Sequence, residues 1–202
     1  QMLDADVQEL HDVLYTHTHA DHTNGFDDLR AFFFKSRKPV RCWIAKEHEQ
    51  ELKNRFSYAF QKTKYVGMTP QVQLLPINSQ FLRVLGLEVE TVFLPHGHMR
   101  SVGFRFGSFV YATDFKVFPE EVIRAWRGKI KTMVASGLRF EEHPSHSNID
   151  STVKLFNQLG VEQGYLTHLS HAVNHHRDSK RLPENVEFAY DGLEFDVDVA
   201  VS

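Results

Sequence analysis

YTHTHADHTNG, residues 15–25, is the stretch of this chain that decides its fold. Within six positions it carries three histidines and one aspartate, namely His17, His19, Asp21 and His22. Imidazole and carboxylate groups packed this densely have little structural use in a folded core, where an unpartnered polar group costs free energy. The same side chains are common ligands of divalent metal ions. The stretch therefore predicts a metal site.

The composition is that of an ordinary globular chain. Of its 202 residues, 42% are hydrophobic and 24% are charged, and the net charge is -3 with histidine neutral. This length is enough for one domain with a substantial core, so we predict a single domain over residues 1–202. The chain has no basic stripe, which disfavours nucleic acid as a partner. It also lacks a signal-peptide pattern and an apolar run long enough to span a membrane.

The chain contains a single cysteine, Cys42, in the apolar run PVRCWIA. One cysteine excludes a disulfide framework within the chain, and this fits a reducing compartment. We therefore expect a cytoplasmic location and predict that Cys42 is a core residue.

Predicted strands and helices alternate along the chain, which indicates a layered α/β architecture. Single strands are predicted at residues 12–16, 40–45, 130–136, 164–167, 186–190 and 193–197. Two or three further strands are predicted between residues 71 and 94, and a hairpin that turns at Gly107 is predicted over residues 101–113. Helices are predicted at residues 25–34, 46–60, 119–126 and 147–160, with a further polar helix before the last two strands. In the helix over 147–160, Ser147 or Asn148 is the expected cap and Gly160 the expected stop.

Four residues of metal-ligand type follow the ends of separate predicted strands. They are His17 after DVLYT, His96 after TVFLP, Asp114 after FVYAT and His168 after GYLT. Binding sites in open α/β sheets form beyond the carboxyl ends of the strands. Taken alone, each remote histidine would more often be a surface or core residue, and Asp114 a turn or helix-cap residue. The shared position after a strand, added to the histidine cluster, favours convergence on one metal site.

The HTHADH segment matches the HxHxDH motif, and the chain resembles the metallo-β-lactamase superfamily. Further stretches resemble the branch that contains the phosphodiesterase of the phosphonate-degradation (carbon–phosphorus lyase) pathway; they are DHTNGFDDLR, PHGHMRSVGFRFG, VYATD, HPSHSNI, YLTHLSH and FAYDGLEF. The resemblance covers essentially the whole chain and implies an α/β fold of the αββα sandwich type. Family members begin with several strands before the motif. We therefore expect a segment before residue 1, without which one sheet is incomplete and its core exposed or covered by a second copy in a homodimer.

The resemblance also implies the roles of individual residues. His17, His19 and His96 would bind a first metal ion; Asp21, His22 and His168 would bind a second; Asp114 would bridge the two. His96 is preferred over His98 as the ligand, and His98 would face the substrate or support the ligands. The candidate catalytic residues are Asp21, which is also a ligand, and His146, a non-ligand histidine whose pKa near neutrality would suit it to protonate a leaving alkoxide.

These residues imply a hydrolase with two divalent ions, zinc or manganese or also iron, since the donor set alone does not choose the metal. Two ions can share a bridging water and lower its pKa so that a hydroxide exists at neutral pH. The leading prediction is a phosphodiesterase whose partner is a small or cyclic phosphate ester. The alternatives are hydrolysis of a thioester, lactone or β-lactam in the same site, an RNA-processing nuclease, and a non-catalytic, metal-stabilised binding module.

Overall fold

The computed structural model describes residue 2, residues 4–61 and residues 69–199. The chain divides into two compact units, Gln1–Ser79 and Gln80–Ser202. The single domain over residues 1–202 stays a prediction.

The first unit is built on a parallel sheet of three strands in the order β1-β2-β3. Its strands are β1 (Asp12–Leu14), β2 (Val40–Ala45) and β3 (Val72–Ile77). Its helices are α1 (Ala20–Thr23), α2 (Leu29–Ser36), α3 (Glu49–Arg55) and α4 (Ser57–Phe60), with 3₁₀ turns at Asn24–Asp28 and Lys46–His48. The predicted helix over 46–60 is thus divided at Phe56, which has a non-helical backbone with φ -110° and ψ 40°.

The core of the first unit lies around the central strand β2. Cys42, Ile44 and Leu52 are fully buried, which confirms Cys42 as a core residue. Phe26 stacks on Phe56 with ring centroids 4.4 Å apart. This stack fastens the turn after the histidine cluster to the end of α3, because burying aromatic surface favours the folded state.

Strand β1 lies at the edge of the first sheet. A cavity of about 1070 Å³ borders it and α2, with Leu10, Val13 and Phe32 in its lining. Among the described residues of this unit, no strand pairs with the outer edge of β1. The expectation of a segment that precedes residue 1 stays a prediction.

The second unit is built on a sheet of seven strands in the order β10-β9-β8-β7-β6-β5-β4. The strands are β4 (Phe81–Val84), β5 (Leu87–His96), β6 (Met99–Phe106), β7 (Phe109–Ala112), β8 (Thr132–Ser136), β9 (Gln163–Thr167) and β10 (Val186–Phe188). Strands β4 to β7 form antiparallel hairpins, and β7 to β10 run parallel. The hairpin predicted to turn at Gly107 is confirmed, and Gly107 has the positive φ of 56° that such a turn favours in glycine.

Helices α5 (Glu120–Trp126) and α6 (Ile149–Leu159) contribute Trp126 and Phe156 to the core of the second unit. Asn148 rather than Ser147 caps α6, since its side-chain oxygen accepts a hydrogen bond from the Ser151 amide at 2.8 Å. Gly160 ends α6 in a left-handed conformation, as the sequence predicts.

The predicted polar helix is a single turn, α7 (His175–Asp178), which continues as a 3₁₀ turn at Ser179–Arg181. The other helices are short as well. In the part of the chain that the structure describes, no helix has the length and apolar character needed to cross a membrane.

The prediction of a strand over residues 193–197 is wrong, because this segment forms no regular structure. Phe195 stacks on Tyr165 of β9, with centroids 4.7 Å apart, and lies 6.1 Å from the ring of Phe109 of β7. Farther along, Asp198 pairs with Lys131 at 2.8 Å. The segment therefore passes across several strands, held by side chains, and its alternating apolar residues reflect aromatic packing rather than strand pairing.

Gly164 in β9 is expected not to tolerate a larger side chain. A Cβ atom there would lie 2.5 Å from two ring carbons of Phe156, which is buried. Overpacking of this kind costs roughly 1–3 kcal/mol, so we expect Gly164→Ala to lower the free energy of unfolding by about that amount. Chemical denaturation measures it, with Gly25→Ala as the control, since nothing lies within 4 Å of a Cβ at Gly25. Equal stability of the two variants would contradict the packing described for β9 and α6.

Candidate metal centre

In the first unit, the loop after β1 brings together the residues of the HTHADH segment, and residues 16–23 are called the histidine loop below. His17 is fully buried. Its Nδ1 atom lies 3.0 Å from the hydroxyl of Thr16, and its Nε2 atom lies 2.9 Å from Nδ1 of His19. Because Thr16 engages Nδ1, His17 presents Nε2, and two imidazole nitrogens face each other as ligands of one ion do.

The histidine loop also holds the other two residues of the motif. The amide of His22 donates to the carbonyl of His19 at 3.1 Å as α1 begins. This turn places the ring of His22 4.4 Å from the ring of His17, centroid to centroid. Nε2 of His22 lies 3.3 Å from a carboxylate oxygen of Asp21. All four predicted ligands of the first unit are therefore close neighbours.

In the second unit, three imidazoles surround the buried carboxylate of Asp114, which is 1% exposed. Its Oδ1 atom lies 3.3 Å from Nδ1 of His146, 3.3 Å from Nε2 of His168 and 3.8 Å from Nε2 of His96. Ligand atoms of His96, Asp114 and His146 all lie within 4.8 Å of one another, a spacing that could hold a metal ion. Within this unit, ligand-type residues that follow separate strands therefore lie close together.

Asp114 and His168 both have backbones in the left-handed region, with φ of 57° and 58°. Residues other than glycine seldom adopt it, and such strain persists only where the surroundings hold it in place. For Asp114 the hold is visible. Its amide donates to the Ser136 hydroxyl at 2.6 Å, and its carbonyl accepts from the Ser101 hydroxyl at 2.7 Å. Both serines are buried. The sequence analysis did not identify Ser101 or Ser136 as supporting residues. The position of Ser136, a polar residue at the end of the apolar strand β8, could have indicated such a role.

The orientation of His96 suits a metal ligand. Its Nδ1 atom lies 3.1 Å from the carbonyl oxygen of Ser145. A carbonyl only accepts hydrogen bonds, so Nδ1 carries the proton and Nε2, which faces Asp114, carries the lone pair. His98 lies on the exposed turn that follows, where Gly97 has a φ of 59°. The preference for His96 over His98 therefore fits the geometry of this unit.

His146 lies in the middle of a group of imidazole rings. Centroid distances are 4.7 Å to His96, 4.9 Å to His143 and 5.3 Å to His168. Burial lowers the pKa of His146 to about 4; the Asp114 carboxylate opposes this effect and the neighbouring histidines add to it. The expected pKa near neutrality is therefore wrong for the metal-free protein. Sequence reasoning also missed His143, which lies close to His146 in HPSHSNI.

The pKa of His146 predicts a pH dependence for the metal-free protein. We expect an NMR titration of its imidazole to have a midpoint near 4, and this signal to vanish in His146→Asn. From the ordinary histidine pKa of about 6.5 down to that midpoint, the unfolded chain binds a proton that the folded chain does not. The free energy of unfolding should therefore fall as the pH is lowered through this window, and fall less in His146→Asn. A midpoint near the ordinary value would contradict the burial described for this ring.

Comparison with known proteins gives a matching family model and a curated relative. The family model of a beta-lactamase superfamily domain matches residues 1–169. An octanoyltransferase of Porphyromonas gingivalis (strain ATCC BAA-308 / W83) is 33% identical over 201 residues, which make up 98% of this chain and 40% of that protein. The chain thus spans well under half the length of this curated relative.

Solved structures agree with the match to the family. A diphosphatase from the PhnP family superposes with a TM-score of 0.89 at 27% identity, covering 100% of this chain and 77% of that one. The metallo-beta-lactamase fold protein YhfI from Bacillus subtilis superposes with a TM-score of 0.73 at 15% identity, covering 94% of this chain and 79% of that one. The second likeness concerns the fold alone. Together they confirm the predicted α/β fold of the metallo-β-lactamase type.

Proposed function

The chain belongs to the beta-lactamase superfamily domain family, and from this premise we propose that it is a metal-dependent hydrolase that cleaves the phosphodiester bond of a small or cyclic phosphate ester. The observation that carries the proposal is the buried carboxylate of Asp114 with three imidazoles around it. Burial of ionisable groups costs free energy unless other charges or hydrogen bonds compensate for the lost contact with water. Such clusters are therefore typical of sites that bind a charged ligand. The diphosphatase from the PhnP family, at 27% identity, supports a phosphate ester as the substrate class.

We propose the ligand set that the resemblance implies. His17, His19 and His96 would hold the first ion, Asp21, His22 and His168 the second, and Asp114 both. The geometry within each unit supports this assignment, since His17 and His96 each have Nδ1 engaged by a neighbour and so present Nε2. Nitrogen and oxygen donors suit zinc, manganese or iron. Such ions, when bound, supply Lewis acidity at a phosphoryl oxygen and activate water for attack.

His146 is the residue that we propose to act on the leaving group. Its Nδ1 atom lies 3.3 Å from a carboxylate oxygen of Asp114, so the ring stands directly beside the proposed bridging carboxylate. Burial keeps the ring neutral in the metal-free protein. An anionic phosphodiester bound beside it would favour the charged ring and raise its pKa. His146 would then hold the proton that the departing alkoxide needs.

Hydrolysis of bis-p-nitrophenyl phosphate tests this function. The metal-free protein is prepared with a chelator, and turnover is followed as Mn²⁺ or Zn²⁺ is added. We expect release of p-nitrophenolate that depends on the metal and disappears when the chelator is restored. No release above background with either metal, across several phosphodiesters, would contradict the proposal.

A second candidate is hydrolysis of an acyl thioester in the same site. It is favoured by the 33% identity to a protein named an octanoyltransferase, of which this chain covers 40%. The two candidates separate in a direct comparison of kcat/KM for an octanoyl thioester and for a phosphodiester, with the same metal. A preference for the thioester by more than tenfold would support the second candidate and count against the first.

The net charge and the single cysteine support proposals for the substrate class and for the cellular location of this enzyme. A net charge of -3 supports a small-molecule substrate rather than a nucleic acid. The single cysteine, Cys42, is fully buried, and this supports a reducing, cytoplasmic location. Cell fractionation with antibodies against the protein measures the location.

A further inference from the structure

We propose that Arg55 and Glu51, two residues of α3, position the histidine loop for metal binding, an inference that rests on the proposed function. They act through Thr18, which lies between His17 and His19, and through Thr23, which directly follows His22. These four residues, Thr18, Thr23, Glu51 and Arg55, are called the loop clamp.

The loop clamp is a closed ring of hydrogen bonds within the first unit. Nη1 of Arg55 donates to the carbonyl of Thr18 and, at 2.8 Å, to the hydroxyl of Thr23. Nη2 of Arg55 donates to Oε1 of Glu51 at 2.8 Å. Oε2 of Glu51 accepts from the hydroxyl of Thr18 at 2.6 Å. One guanidinium and one carboxylate thus hold both the backbone and the side chain of Thr18.

The clamped residues control where the proposed ligands point. Thr18 stands between His17 and His19 in the sequence, so a rotation of its backbone would move both imidazoles. Thr23 follows His22, and its hydroxyl donates to the carbonyl of His19 at 3.0 Å. Thr18 and Thr23 are both buried. The clamp therefore fixes the loop to α3 at one point inside the motif and at one point directly after it. Neither Arg55 nor Glu51 belongs to the proposed ligand set.

The energetics point to positioning rather than to general stability. The side chains of Arg55 and Glu51 are 31% and 46% exposed, and ion pairs this exposed contribute little to the stability of the fold. Metal ligands, in contrast, need to be held within about 0.5 Å of the productive geometry by surrounding hydrogen bonds. Loss of such supporting contacts typically lowers metal affinity by about 10–100-fold.

Metal affinity of the Arg55→Met variant is the main test. We expect its dissociation constant for Zn²⁺, measured by competition with a chromophoric chelator, to rise by about 10–100-fold. Lys53→Met is the matched control, since Lys53 is a cation of the same helix that pairs with Glu49; its dissociation constant should change less than about twofold. The visible spectrum of bound Co²⁺ should change in Arg55→Met and stay unchanged in Lys53→Met, because it reports ligand geometry directly.

Two further variants separate positioning from misfolding. Thr18→Val keeps the shape of the buried side chain and removes only the hydroxyl that donates a hydrogen bond to Glu51. This variant should therefore weaken Zn²⁺ binding, and it tests the inference even if Arg55→Met folds poorly. Arg55→Lys should recover part of the affinity, because lysine keeps the charge but lacks the planar fork that reaches Thr18, Thr23 and Glu51 together. In the double variant, Thr18→Val should add less to Arg55→Met than it costs alone, since the two residues act as a unit.

The outcomes that would overturn the inference are distinct from failure of the proposed function. If the wild-type protein binds neither Zn²⁺ nor Co²⁺, the proposed function is contradicted, and the role proposed for the loop clamp is contradicted with it. Wild-type protein that binds metal, with affinity and Co²⁺ spectrum unchanged in both Arg55→Met and Thr18→Val, would overturn the clamp alone. A loss of affinity in Lys53→Met equal to that in Arg55→Met would also overturn it, because a general charge effect would then suffice.

Discussion

Replacement of Asp114 with asparagine is expected to lower phosphodiester turnover by about 10³-fold, since a carboxylate shared by two ions contributes several kcal/mol of charge stabilisation. An amide keeps the size of the side chain but lacks its charge and one of its two acceptor oxygens. The buried environment amplifies the effect, because Asp114 is 1% exposed and is surrounded by imidazoles. The loss should therefore exceed that of any single terminal histidine.

The measurement combines turnover with metal content per chain. His17→Ala and His168→Ala provide the comparison, and each should lower metal content by emptying a different ion position. Asp150→Asn is the control for loss of an aspartate charge, since Asp150 lies exposed in the first turn of α6. Survival of both metal content and turnover in Asp114→Asn would remove Asp114 from the bridging position.

His146→Ala is expected to keep its metal and to lose roughly 10²–10⁴-fold in turnover, the usual contribution of general acid catalysis. The reason is the departing alkoxide, which needs the proton that we propose His146 to hold. The loss should shrink for p-nitrophenolate, a good leaving group, because a weakly basic oxygen departs without protonation. Turnover of a p-nitrophenyl diester and of an alkyl diester, in wild type and variant, measures this difference.

His143→Ala is the matched control, since the ring of His143 lies 4.9 Å from that of His146 on the same loop. We expect it to cost much less turnover. A fall in metal content in His146→Ala would make His146 a ligand, which its 3.3 Å distance to Asp114 allows. An equal loss for good and poor leaving groups would indicate phosphate binding in place of proton transfer.

The sequence located most of the ligand-type residues because two of its patterns are local. The spacing of His17, His19, Asp21 and His22 is visible without any fold, and in the second unit three further ligand-type residues follow predicted strands. Their convergence around Asp114 was predictable because parallel strands deliver their carboxyl ends to one edge of a sheet.

What the sequence did not predict depends on contacts between distant residues. Arg55 lies 37 positions from Thr18, so its pairing with the histidine loop leaves no local pattern. Asp114 and His168 have a positive φ. Residues other than glycine seldom adopt this conformation, so nothing in the sequence predicts it at these two positions. The pKa of His146 is set by burial, which a sequence does not report.

Residues 193–197 were misjudged for a different reason. Alternating apolar residues predict a strand whenever one face is buried, but here Phe195 packs on the aromatic rings of Tyr165 and Phe109. Phe195 remains 37% exposed even so. Period-two alternation does not distinguish pairing along a strand from passage across several strands.

Titration of the metal-free protein with Mn²⁺ or Zn²⁺, with phosphodiester turnover recorded at each addition, tests the central claim most directly. The claim is the proposed function, namely that the proposed ligand set holds two ions and that the protein with these ions bound is a phosphodiesterase. Turnover should rise from background and reach its plateau at two equivalents of metal per chain. A plateau at one equivalent, or metal uptake with no turnover at any ratio, would contradict the claim.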